Sequence, residues 1–150
     1  MDVPKSGVVV WKGDLCTACG TCEIMCSLSH YGVASPAGAR VQITYNPFQD
    51  TVKGHVCRQC GSPKCYDVCP LADEALCIDQ SSGARYINED VCSGCGACVD
   101  ACPFKPPNIR LDDEMGVALK CDLCRGRAEG PICVEYCVYG ALRFTPKDQR

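Results

Sequence analysis

At 150 residues the chain is one domain or two small ones, and its interior cannot be filled in the usual way. Apolar residues make up 47%, but much of that is cysteine and alanine beside three Phe and one Trp, so a hydrocarbon core would be thin. Seventeen cysteines, with a formal charge of −3, narrow the choice to a disulfide scaffold or a metal-loaded protein.

A disulfide scaffold needs an oxidising compartment. The opening MDVPKSGVVVWKGD has no basic segment leading into a long apolar run and no twin-arginine pair. It also begins with Met, so no removed leader is expected. No apolar run approaches the roughly 20 residues of a membrane helix. The expectation is a cytoplasmic protein with no direct membrane insertion, whose reduced thiols serve as ligands.

Along the chain, a β-prone run at 7–11 (GVVVW) precedes a first cysteine group, Cys16, Cys19, Cys22 and Cys26. The last two are four apart, one helical turn, which predicts a short helix near 22–29. Residues 27–56 hold no further cysteine and form a strand-containing excursion, with RVQITY at 40–45 and breaks at SPAG and NP. The second group is Cys57, Cys60, Cys65 and Cys69, with a helix expected at 65–69. ARYI (84–87) leads to the third group, Cys92, Cys95, Cys98 and Cys102, with a helix at 98–102. After PFKPPN come NIRL (108–111) and VALK (117–120). The fourth group is Cys121, Cys124, Cys133 and Cys137, with a helix at 133–138, and ALRF (141–144) closes the pattern. Cys77 is left over and reads as a buried apolar residue.

Groups one and three have the spacing C-x2-C-x2-C-x3-C; groups two and four have wider middle gaps. Three cysteines two residues apart wrap three irons of a cubane, and the fourth, a helical turn on, faces a neighbouring cluster. Sixteen ligands suffice for four [4Fe–4S] clusters. Ala18, Gly20, Gly94, Gly96 and Ala97 let backbone N–H groups approach the sulfurs, and they also suit tight turns. Four zinc sites would consume the same sixteen thiolates, but zinc has no need of a third cysteine at x2 and a fourth at x3. With four oxidised clusters the formal charge becomes about −11, which disfavours nucleic acid as a partner.

The other chemistry-bearing residues read as structure. His30 and His55 are expected to be neither ligands nor proton relays. Trp11, Tyr31, Tyr45, Tyr66, Phe104 and Tyr136 read as shielding around clusters. Lys120, Arg125 and Arg127 read as a solvated face, or as a contact for an acidic partner. No nucleotide fingerprint, P-loop or Ser-His-Asp set is present, so no catalytic residue is expected.

CRQCGSPKCYDVCP and KCDLCRGRAEGPICVEYCVYGAL resemble the four-cluster ferredoxin-type subunits of molybdenum and tungsten oxidoreductases. That family includes the iron–sulfur subunit of dimethyl sulfoxide reductase. The small cytoplasmic form is similar to the partner of tungsten-dependent aldehyde oxidoreductases. The resemblance covers Leu15 to Phe144. It implies an α+β fold of two pseudo-symmetric ferredoxin-like units with short helices and small antiparallel sheets. The units interleave in one domain over 1–150, the outer about 8–34 plus 116–145 and the inner about 52–112.

The resemblance also implies nested pairing of the groups. The four ligand sets would be Cys16, Cys19, Cys22 with Cys137; Cys121, Cys124, Cys133 with Cys26; Cys57, Cys60, Cys65 with Cys102; and Cys92, Cys95, Cys98 with Cys69. Spacing alone leaves sequential pairing open. Ser27 and Val138 stand where many relatives have proline, so the helix exits of the outer pair are expected to differ from those of the inner pair.

The expected function is non-catalytic relay of single electrons between a molybdenum- or tungsten-pterin catalytic subunit and a further redox subunit or carrier, such as a flavin subunit. A free-standing polyferredoxin and a zinc-stabilised interaction module are the alternatives. Self-association is a further expectation, because clusters near both ends of the chain would allow relay between copies. The clusters replace a core, so the apoprotein is expected to be largely unfolded.

Overall fold

The computed structural model describes residues 3–150. Eight short strands form four two-stranded antiparallel sheets, and four helices lie between them. In chain order these are β1 (Val8–Trp11), α1 (Thr21–Tyr31), β2 (Gln42–Asn46), β3 (Thr51–His55), α2 (Lys64–Asp67), β4 (Leu76–Ile78), β5 (Arg85–Ile87), α3 (Ala97–Asp100), β6 (Ile109–Asp112), β7 (Val117–Lys120), α4 (Ile132–Glu135) and β8 (Leu142–Thr145). The fold is the α+β, ferredoxin-like class that the family resemblance implies.

Three sheets are hairpins: β2 with β3, β4 with β5, and β6 with β7. The fourth joins the two ends of the chain, with Val8 opposite Thr145 and Trp11 opposite Leu142. That long-range pair brings the fourth cysteine group back beside the first. β7 lies deepest, with all four of its residues buried.

The residue after the fourth cysteine differs between the groups. Pro70 and Pro103 follow Cys69 and Cys102, and α2 and α3 are only four residues long. Ser27 follows Cys26 instead, and α1 runs on for eleven residues to a left-handed Gly32, whose N–H donates to Leu28 O. Buried Ser27 donates to Ile24 O at 3.0 Å and accepts Ser35 N at 2.9 Å. The exit after Cys137 does not follow suit, since α4 stops at Glu135 although Val138 replaces proline. Thus only one of the two outer exits differs from the inner pair.

The helices expected at 65–69, 98–102 and 133–138 are shorter, and their last cysteine lies beyond the α-helical turn. Cys69 N, Cys102 N and Cys137 N instead donate to the carbonyls three residues back, Tyr66, Val99 and Val134, at 3.1–3.3 Å. This tighter closure ends each helix at the fourth cysteine.

Two strands escaped the sequence reading. TVKGH at 51–55 is polar and contains Gly54; pairing with β2 makes it a strand. Gly54 is required there, because a Cβ would lie 2.4 Å from Trp11 Cγ. LCI at 76–78 is only three residues long and is held by β5. The described core contains no fully buried aromatic ring; buried cysteines share it with Val9, Val41, Leu76, Leu119 and Leu142. Among the described residues no helix is long and apolar enough to cross a membrane.

Candidate metal centres

Each cysteine group starts with the same local device. The second residue between its first two cysteines is left-handed: Ala18 (φ 55°), Gln59 (φ 48°), Gly94 (φ 66°) and Leu123 (φ 59°). Only Gly94 does so without a side-chain cost. A Cβ at Gly94 would in addition meet Gly116 O at 2.2 Å. Four copies of one turn, three of them strained, indicate that these loops are shaped for something other than local preference. The third cysteine then falls within a helix: Cys22, Cys65, Cys98 and Cys133 lie in α1, α2, α3 and α4.

Tertiary folding brings the cysteines together across groups. Cys16, Cys19, Cys22 and Cys137 line one cavity, walled by Trp11, Ile43 and Leu142. Cys69, Cys92, Cys95 and Cys98 line another, against Leu76, Ile87 and Ala118. Cys57, Cys60, Cys65 and Cys102 line a third, with Pro63, Phe104 and Ile109. Buried Cys133 feels the charges of Cys121, Cys26, Cys124 and Cys22. Three cavities, each with four sulfurs in its wall, suit one kind of occupant.

None of the seventeen cysteines forms a disulfide. Burial pushes Cys22 up to about 12 and Cys98 up to about 11, and neighbouring negative groups add to both shifts. Burial likewise raises Cys121 and Cys133 well above the ordinary thiol range. Buried and beside like charges, these four thiols resist ionisation on their own. A bound metal removes the difficulty, because coordination deprotonates the thiol outright. The donor set therefore fits an iron–sulfur cluster.

The surroundings of the four sets differ. Near Cys26 and Cys121, Asp122 accepts from His30 Nε2 at 3.1 Å and from Arg40 Nη1 at 2.9 Å, while Arg40 also pairs with Glu89. His30 Nδ1 donates to Cys26 O at 2.8 Å, so both ring nitrogens are donors. Burial works against the charged ring, but the hydrogen bonds to Asp122 and Cys26 prevail and hold His30 up to about 10. Burial likewise opposes ionisation of Asp122, but the His30 hydrogen bond and the Arg40 charge bring it down to about 2. His30 is thus an ion-paired support beside a cysteine set rather than a bland core residue.

The Cys57 cavity is different. Arg58, Lys64, Arg85 and Lys120 all line it, and no carboxylate does so among the described residues. Lys120 is 1% exposed, which corrects its reading as part of a solvated face. Its Nζ donates to Cys57 Sγ at 2.9 Å and to Arg85 O at 2.8 Å. Arg85 is also 1% exposed, and its Nε and Nη2 have no protein acceptor. Gln59, buried beneath them, donates to Cys121 O at 2.7 Å and accepts Arg85 N at 2.7 Å. None of these was legible as a site residue, since Lys and Arg are rarely buried without a carboxylate.

The remaining sequence readings separate. Arg125 stacks on Tyr86 at 3.6 Å, and Arg127 pairs with Glu135. Cys77 is buried, with its thiol donating to Asp73 O and Glu74 O. Trp11 and Phe104 shield cysteine cavities, whereas Tyr45 and Tyr136 are exposed and shield none. Cys19 and Cys95 are the exposed cysteines.

Comparison with known proteins points to the same kind of cofactor. The sequence pattern of the 4Fe-4S dicluster domain matches residues 49–147. The polyferredoxin-like subunit of an aliphatic sulfonate oxidoreductase from Pyrococcus furiosus is 40% identical over 124 residues, which cover 83% of this chain and 67% of that one. The electron transport protein HydN of Escherichia coli K12 is 33% identical over 155 residues, covering 89% and 85%. A chain of the BamBC active-site complex of benzoyl coenzyme A reductase with benzoyl-CoA superposes with a TM-score of 0.55 at 25% identity, over 95% of this chain and 80% of that one. This protein belongs to the 4Fe-4S dicluster domain family, as an iron–sulfur electron-transfer protein related to oxidoreductase subunits.

Proposed function

We propose that the chain holds four [4Fe–4S] clusters and relays single electrons between a molybdenum- or tungsten-pterin catalytic subunit, such as an aldehyde oxidoreductase, and a further redox subunit or carrier. The observation that carries this reading is the lining of the cavities by three cysteines of one group and one of its nested partner. The ligand sets are Cys16, Cys19, Cys22, Cys137; Cys26, Cys121, Cys124, Cys133; Cys57, Cys60, Cys65, Cys102; and Cys69, Cys92, Cys95, Cys98. The β1–β8 pair supports two interleaved units, the outer about 8–34 plus 116–145 and the inner about 52–112.

When bound, each cluster takes up and releases one electron without making or breaking substrate bonds. The residues supply the order. α1 carries both Cys22 and Cys26, which links the Cys16 and Cys121 sets. Cys65 and Cys69 flank one turn at α2 and link the Cys57 and Cys92 sets. Lys120 touches both Cys57 Sγ and Cys121 O, at 2.9 and 3.4 Å, and joins the two pairs. The relay therefore runs Cys16 set, Cys121 set, Cys57 set, Cys92 set. Exposed Cys19 and Cys95 lie at its two ends, where partners would exchange electrons.

Isolation of the native complex followed by metal analysis tests the reading. About sixteen irons per chain and a co-purifying pterin subunit are expected. Recovery of the chain alone, with its iron, would favour a free-standing carrier; a colourless zinc protein would overturn the proposal.

A further inference from the structure

We infer that Lys120, assisted by Arg85, makes the cluster held by Cys57, Cys60, Cys65 and Cys102 the most readily reduced of the four. The inference rests on the four-cluster assignment proposed above. Lys120 Nζ donates to Cys57 Sγ at 2.9 Å, and its other acceptors, Arg85 O and Cys121 O, are neutral. At 1% exposure it has almost no water to screen it. A buried ammonium needs a negative partner, and no carboxylate lines this cavity among the described residues. The thiolate and the metal it holds are the counter-charge. Arg85 is in the same position, buried in the same wall with two nitrogens lacking an acceptor.

The sign follows directly. Reduction adds one negative charge, and a fixed cation in low dielectric favours the more negative form. A hydrogen bond donated to the ligand sulfur acts in the same direction. The Cys57 set accepts more of them, since Gln59 N donates to Cys57 Sγ and Asn108 N to Cys102 Sγ, both at 3.4 Å.

The other sets lack this charge. The cavities of the Cys16 and Cys92 sets have no charged residue in their walls among the described residues. Beside the Cys121 set, His30 Nδ1 faces Cys26 Sγ at 3.8 Å and Arg40 N donates to it at 3.3 Å, but the charges of His30 and Arg40 are balanced by Asp122 and Glu89. Water at exposed Cys19 and Cys95 also favours reduction, but bulk water attenuates charge effects that a direct contact inside the protein retains. Lys120 thus creates a resting place for the electron inside the relay rather than at either end.

The test is an EPR-monitored redox titration of the full chain, purified without oxygen. Lys120→Met is expected to lower the highest of the four potentials by about 59 mV or more, a tenfold shift in a one-electron equilibrium, and to move the others less. Retention of four clusters with that potential unmoved would overturn the inference. Should Lys120→Met lose a cluster, Cys60→Ser with Lys120 in place decides. Loss or displacement of the highest potential supports the assignment, and loss or displacement of a lower one refutes it. An unmodified chain purified without oxygen that holds clearly fewer than about sixteen irons would refute the four-cluster proposal itself, independently of Lys120.

Discussion

Beside Cys26 and Cys121, Asp122, Arg40, His30 and Glu89 are paired with one another; around Cys57 and Cys102, Lys120 and Arg85 have no carboxylate. Two neighbouring sites with the same four-thiol donor set thus handle charge in opposite ways. In the first, protein charges compensate each other. In the second, the negative charge within reach of Lys120 is that of the cysteine sulfurs. The cysteine loops are repeated; wall electrostatics are not. On the proposed function, binding the metal and setting its behaviour are separate tasks, carried by different residues.

Iron removal should expose this contrast most strongly. Chelation is expected to abolish most of the far-ultraviolet circular dichroism, because metal binding and folding are coupled and sulfur fills the core. Hydrogen exchange at partial iron loss should show Arg85 and Lys120 losing protection before Arg40 and Asp122. An apoprotein retaining its native dichroism, or the reverse order of exchange, would break the comparison.

Asp122→Ala should cost about 3 kcal/mol in a denaturant titration of the loaded protein, because it leaves Arg40 and His30 short of a partner. Its Cys57-set potential should hardly move. A large change there would mean that the two walls act as one.

Gln59→Ala should cost about 2 kcal/mol by the same measurement. It removes the acceptor of Arg85 N and the donor to Cys121 O in a buried position. Gln59→Gly should cost less than Gln59→Ala, since glycine releases the strain at φ 48° that alanine keeps. Equal losses would show that the left-handed turn carries no strain of its own.

The smallest effect belongs to Arg125→Ala, which loses the cation over Tyr86 at 3.6 Å. About 0.5 to 1 kcal/mol is expected, with no change in cluster potentials, because Arg125 contacts the outer face of β5 rather than a sulfur. A potential shift comparable to that of Lys120→Met would remove the distinction between surface and wall charges.

Much of this molecule can be read from its cysteines. Their spacing indicates the four groups and the short helices that carry Cys22, Cys65, Cys98 and Cys133, and the β-prone runs between them indicate most of the strands, because those features are settled within a dozen residues. β3 escaped because Lys53 and Gly54 carry no strand preference, and its pairing with β2 and contact with Trp11 decide it. Lys120 escaped for a similar reason. A lysine at the end of VALK resembles a strand leaving the core, and only the packing of β7 against β5 places it in the interior.

The sequence by itself determined the four cysteine groups and the form of each loop, since three thiols two or more residues apart define a turn without help from elsewhere. It left open which groups meet in space. Tertiary structure decided that Cys137 shares a cavity with Cys16, Cys19 and Cys22, by pairing β1 with β8 across more than a hundred residues. It also decided which set receives buried cations. The physical reason is range: coordination geometry is local to a loop, whereas shared cavities and uncompensated charge arise only where distant strands pack.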